Sequence, residues 1–244
     1  MNVFHFIAII ASLVVLLVGN FIYYRDPDNK VSQLFFVYTL VGAYVGIMES
    51  FASAAPDAQT AELWYRLGSL WPFFPTIALH LVLVFREKVR PMKGRWIYLL
   101  IYIVPAIIGL ANGTSHLLMA RIQETAWGWA HVPADTPFAH LVSAWVGLIG
   151  IITVIMAIRV YRLLSDSNLK RQMLYVLLGV SIPVVIGIFS EGVLPSLGIH
   201  IPSLSLAALM VGSLIIGYGI WKYKLFILSP ASVAKSVFSS LTDA

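Results

Sequence analysis

The chain has 244 residues, 59% of them hydrophobic and only 11% charged, where an ordinary soluble domain carries about 25% charged residues. That balance excludes a water-soluble globule, and the absence of cysteine excludes disulfides, thiol chemistry and thiolate metal sites. The formal charge of +5 does not indicate a nucleic-acid surface, because its carriers gather at the ends of apolar runs, next to lipid head groups.

Seven such runs follow one another, at residues 3–23, 31–52, 63–85, 96–111, 138–160, 173–194 and 202–221. Each approaches the ~20 residues that carry a helix across ~30 Å of hydrocarbon. In lipid, runs this continuous satisfy their backbone only as helices. The expected fold is an all-α membrane protein, a receptor-like seven-transmembrane bundle in the cell (inner or plasma) membrane.

The first run lacks the basic start and small-residue cleavage site of a signal peptide, so it is read as a retained span. After it, Arg25 to Lys30 is a turn sequence with Pro27 and Asn29. In the second run Glu49 shares a face with Gly42, Val45 and Gly46, a pattern that allows close helix approach and turns the carboxylate into the bundle. The third run opens on Trp64, Tyr65 and Arg66, continues through Trp71, Pro72 and Pro75, and carries His80 on the face of Phe73, Thr76 and Ile77. His80 is open to two readings, a structural hydrogen bond to a nearby backbone or hydroxyl group, or a ligand or proton-relay role.

The fourth run contains Pro105, and the segment after it, residues 112–137, is long and aromatic. Gly128, between Trp127 and Trp129, suits the turn of a short hairpin. The segment reads either as an aromatic belt at the interface or as a lid. After the fifth run, Ser165 to Asn168 offers several helix-capping side chains. The sixth run holds Pro183, Gly187 and Glu191, and the seventh contains no lysine. That lack rules out a retinal Schiff base in the middle of the span.

Basic residues orient the bundle. All but Arg66 and Arg121 of the 16 Lys and Arg residues fall on one side of the seven spans. By the positive-inside rule the N-terminus is outside and the C-terminus inside. Residues 1–224 then form the transmembrane domain, and residues 225–244 a cytoplasmic linker helix with Val233, Val237, Phe238 and Leu241 along one stripe. Such a stripe needs a partner, a second copy or a following domain, and absent downstream signalling domains are expected beyond it.

Three segments carry a resemblance. Leu63-Trp64-Tyr65-Arg66-Leu67 with Leu79-His80-Leu81 further on, then Asn112-Gly113-Thr114-Ser115-His116, then Trp221-Lys222-Tyr223-Lys224-Leu225-Phe226 followed by Pro230, are similar to the seven-transmembrane N-terminal region of bacterial and archaeal sensor histidine kinases. Leu81 and Lys224 depart from the residues that family often has. The resemblance implies a sensor module with a kinase domain downstream, and no histidine of this chain takes the phosphorylatable role. No catalytic residue, cofactor or metal is expected, since the histidines scatter without metal-ligand spacing.

Ionisable groups inside spans are functional candidates by default. Glu49, Arg66, Trp64, Tyr65, Trp71 and Glu191 are the expected lining of an outer pocket for a small-molecule or lipid-like ligand; the plainer reading pairs a glutamate with Arg66 as structural glue. Trp221, Tyr223, Phe226 and Pro230 are the expected route of the signal, and a homodimer through the exit helix the expected assembly. The rival is a transporter of two three-helix repeats, suggested by residues 45–49 and 186–191.

Overall fold

The computed structural model describes residues 3–87, 96–194, 197 and 201–223. Its elements in chain order are α1 (Val3–Arg25), α2 (Lys30–Ser53), α3 (Ala58–Leu67), α4 (Phe73–Glu87), α5 (Trp96–Thr114), the strands β1 (Met119–Thr125) and β2 (Gly128–Pro133), α6 (Pro137–Leu163), α7 (Ser167–Gly187) running on as a π-helical turn (Ile188–Val193), and α8 (Ser205–Tyr223). Polar side chains start the helices where the sequence offers caps. The Asn29 side chain accepts from Val31 N at 3.0 Å, Asp57 from Thr60 N at 2.8 Å, Thr136 from Ala139 N at 3.0 Å and Asp166 from Leu169 N at 2.8 Å.

Six of these helices are long and apolar enough to cross a membrane. The third run departs from the continuous span expected of residues 63–85. It divides into α3 and α4, joined through successive tight turns in which Trp71 N donates to Gly68 O, Phe73 N to Leu70 O and Phe74 N to Trp71 O. The cause lies in Gly68 and Pro72: the first ends a helix at low cost and the second cannot donate to one. Pro75 falls in the first turn of α4, where no intrahelical donor is needed.

Although α4 has only 15 residues, Thr76 to Leu79 and Leu81 to Phe85 are all buried. It stands at the centre of the helix packing, against α2, α5, α6 and α7. Through it the order α1, α2, α4, α6, α7, α8 closes on itself, since α8 packs back on α1. Tyr38, Phe35, Phe85, Met173 and Ile216 fill the interior, with Tyr38 stacked on Phe74 at 4.3 Å.

Polarity is distributed as lipid requires. Ser12, Thr39, Thr76, Thr153 and Ser213 are buried, while Leu17, Leu99, Leu110 and Leu141 face outward. Glycines let helices close up. A Cβ on Gly46 would strike Ser12 of α1 and Leu206 of α8; one on Gly212 of α8 would fall on the Gly179 carbonyl of α7. That carbonyl lacks its usual helical donor, because the residue four positions on is Pro183.

Candidate functional site

The end of the bundle opposite the basic loops is covered by the β1–β2 hairpin, antiparallel from Met119↔Pro133 to Thr125↔Gly128. Gly128 makes the turn at φ +114°, and a Cβ there would fall on the Ser53 carbonyl, so only glycine lets the hairpin approach the end of α2 this closely. Two side chains pin it down. Trp129 Nε1 donates to Ala55 O at 2.9 Å, and the Tyr65 hydroxyl donates to Trp129 O at 2.9 Å. The Tyr65 ring also meets His131 edge-on at 5.1 Å. The aromatic segment thus forms a fixed cover over α2 and α3, and its tryptophan anchors protein rather than standing free at the interface.

Arg66 belongs to a polar knot on the α5 side. Its guanidinium donates to Glu62 Oε1 at 2.9 and 2.7 Å, to Ser115 O at 3.1 Å and to Gly113 O at 3.4 Å, and reaches the His116 ring at 3.2 Å. Nearby, Ser69 Oγ bonds to Arg66 O, and Asn112 Nδ2 donates to Ser69 Oγ at 3.1 Å. The segment from Asn112 to His116 is therefore what holds the broken third span to the end of α5. Among the described residues Arg66 forms its ion pair with Glu62, not with Glu49 or Glu191. Glu62 was missed in the sequence, although its i,i+4 spacing to Arg66 is a pairing signal.

Glu49 and Glu191 lie within electrostatic reach of one another. Glu49 is also within electrostatic reach of Tyr65, and Glu191 of His131. Glu191 sits in the π-helical turn and accepts from the Ser203 hydroxyl at 2.7 Å and from the Ser205 hydroxyl. Ser205 is the first residue of α8. Neither serine was singled out from the sequence, because uncharged serines beside an apolar run carry no signal of cost or period.

The other expected lining residues lie elsewhere. Trp64 packs on Phe51 with ring centroids 4.9 Å apart, and Trp71 is part of the turn between α3 and α4. An open depression of about 450 Å³ on α3 is lined by Gln59, Thr60, Glu62, Leu63 and Arg66. The structure thus brings Glu49, Tyr65, Glu191 and the hairpin's His131 within electrostatic reach of one another at the hairpin end, and leaves Arg66 in its own network. Two carboxylates, one of them held by hydroxyl donors and neither in an ion pair among the described residues, can accept a cation or an amine-bearing group.

Toward the basic end, His80 Nδ1 lies 2.9 Å from the Tyr102 hydroxyl and its ring is 4.4 Å from Tyr98, whose hydroxyl donates to Glu87 at 2.7 Å. The histidine thus joins α4 to α5. At the end of α8, Gln172 Nε2 donates to Tyr223 O at 3.3 Å, the Tyr223 ring is 5.5 Å from Tyr175, and Trp221 is exposed beside Tyr218. Phe226, Pro230 and the stripe from Val233 to Leu241 lie outside the described residues. No group of three or more His, Asp or Glu side chains suited to a metal ion occurs among the described residues.

A family model described as the N-terminal 7TM region of histidine kinase matches residues 6–230. No curated protein matches the chain.

Proposed function

We propose, for a chain that belongs to the family of N-terminal 7TM regions of histidine kinases, that it is the sensing part of a two-component sensor kinase, receiving a small-molecule or membrane-borne stimulus at the hairpin end. The hairpin end lies outside and the basic end in the cytoplasm, a reading supported by the one-sided Lys and Arg. A kinase domain follows the seventh span in the parent protein, and two copies pair through the exit helix.

One contact carries this reading. Glu191, at the covered outer site, is hydrogen bonded to Ser205 at the start of α8, the helix whose far end leads toward the cytoplasm. Across from it, Gly42 and Gly46 of α2 hold Leu209 and Leu206 of α8 at van der Waals range. A group that engages Glu49 and Glu191 therefore acts on α8 directly. It biases two arrangements of that helix by its difference in affinity for them.

The test is Glu49→Gln and Glu191→Gln in the full-length parent kinase, which keep shape and remove charge. Expected is loss of the stimulus-dependent change in autophosphorylation, with the thermal midpoint of the membrane domain kept to within a few degrees. An unchanged response in both variants would overturn the assignment of the site.

A further inference from the structure

At the basic end, far along α7 from Glu191, α6 and α7 leave a groove of about 200 Å³ lined by Tyr161, Ser167, Lys170, Arg171 and Leu174. Lys170 Nζ stands 5.2 Å over the Tyr161 ring, and the Arg171 guanidinium is 5.9 Å from the Tyr223 ring. Among the described residues neither cation forms a salt bridge. The nearest acid in sequence is Asp166, and one of its oxygens is engaged in capping the helix through Leu169 N.

The groove has direction. Ser167, Lys170, Arg171, Leu174 and Leu178 follow at helical spacings along one face of α7, so a hydroxyl and two cations in the first turn give way to leucines further into the bilayer. Leu178 and, on α6, Leu163 are exposed large apolar side chains. A free phosphate would satisfy the cations and ignore the leucines. A phospholipid uses both, its phosphate against Ser167, Lys170, Arg171 and the positive end of the helix dipole, and an acyl chain along Leu174 and Leu178.

We infer that this groove binds the phosphate of an anionic phospholipid, one per chain, and so fixes the basic ends of α6, α7 and α8 to the membrane surface. The inference does not depend on the ligand site under the hairpin.

The purified chain in mild detergent, supplemented with phosphatidylglycerol or with phosphatidylcholine and weighed by native mass spectrometry, tests it. One phosphatidylglycerol per chain should be retained in preference to phosphatidylcholine. The double variant Lys170→Gln/Arg171→Gln should weaken that retention roughly thirtyfold, from two basic contacts at the surface, while Lys170→Arg/Arg171→Lys should keep it. Should the double Gln variant fail to fold, either single Gln variant must show a partial loss. Equal retention of both lipids, or undiminished retention by the Gln variants, would overturn the inference. So would displacement of the lipid by millimolar inorganic phosphate, or a groove filled by a second copy, seen as lipid-free dimers.

Discussion

Helices α5 and α8 are each 19 residues long and both are apolar enough to span a membrane, yet they occupy opposite places in the bundle. In α5 only Pro105 and Ile108 are buried, whereas α8 buries Ala208, Leu209, Gly212, Ser213, Ile216, Gly217, Gly219 and Ile220. The apolar content of the edge helix is the larger: Leu99, Ile103, Ile107 and Leu110 all face outward. Between these two helices the greasier one is the one left to face lipid, and the one rich in buried small residues is the one packed on protein, as expected where lipid tails are no worse a solvent for leucine than a neighbouring helix is.

Three substitutions probe that contrast, beginning with the largest effect. Gly212→Val places a side chain against the Gly179 carbonyl and the Pro183 ring, neither of which can swing away. α7 and α8 must part, and a loss of about 1–3 kcal/mol is expected, read as a drop of several degrees in thermal midpoint in detergent. An unchanged midpoint would mean that the seam is not close-packed.

Tyr102→Phe is the middle case. It keeps the ring beside Phe73 and removes the hydroxyl that meets His80, so α5 loses a polar tie to α4. Polar ties between membrane helices average about 0.6 kcal/mol, and a thermal midpoint shift of that order is expected. A loss as large as that of Gly212→Val would mean that α5 is held as firmly as the inner helices.

Smallest is Leu110→Ala, at a side chain 69% exposed on α5. Stability should stay within about 0.5 kcal/mol of the parent. A larger drop would reveal a protein partner on the outward face of α5.

Much of the fold is legible in the sequence. Hydropathy marks all seven runs, and the match to the N-terminal 7TM region of histidine kinases over residues 6–230 agrees with the resemblance read from the three segments around Trp64, Asn112 and Trp221. The division of the third run is not read by hydropathy, because Trp71, Pro72 and Phe73 score as apolar while breaking the helix. Gly68 and Pro72 were the signal, visible only once backbone donors are counted instead of side-chain polarity.

The site was half legible. Glu49 and Glu191 stand out because carboxylates are costly in spans, and the structure does bring them within reach of each other. Arg66 stands out equally, yet its partner is one helical turn back, at Glu62. Cost of burial identifies which groups need partners; only the path of the backbone decides which partner each receives. The same holds for Ser203 and Ser205, unremarkable in sequence and hydrogen bonded to Glu191 in the fold.

The π-helical turn from Ile188 to Val193 has a consequence in angle rather than in energy. An α-helix advances about 100° with each residue, and a π turn takes in one residue more than α pitch allows. The azimuth of the chain therefore shifts across this turn by up to one residue's worth relative to the body of α7, and Glu191 sits within that shift. Passing that extra residue up or down the helix would sweep the carboxylate around the axis, toward Ser205 or away from it, without lengthening the bundle or breaking its seams.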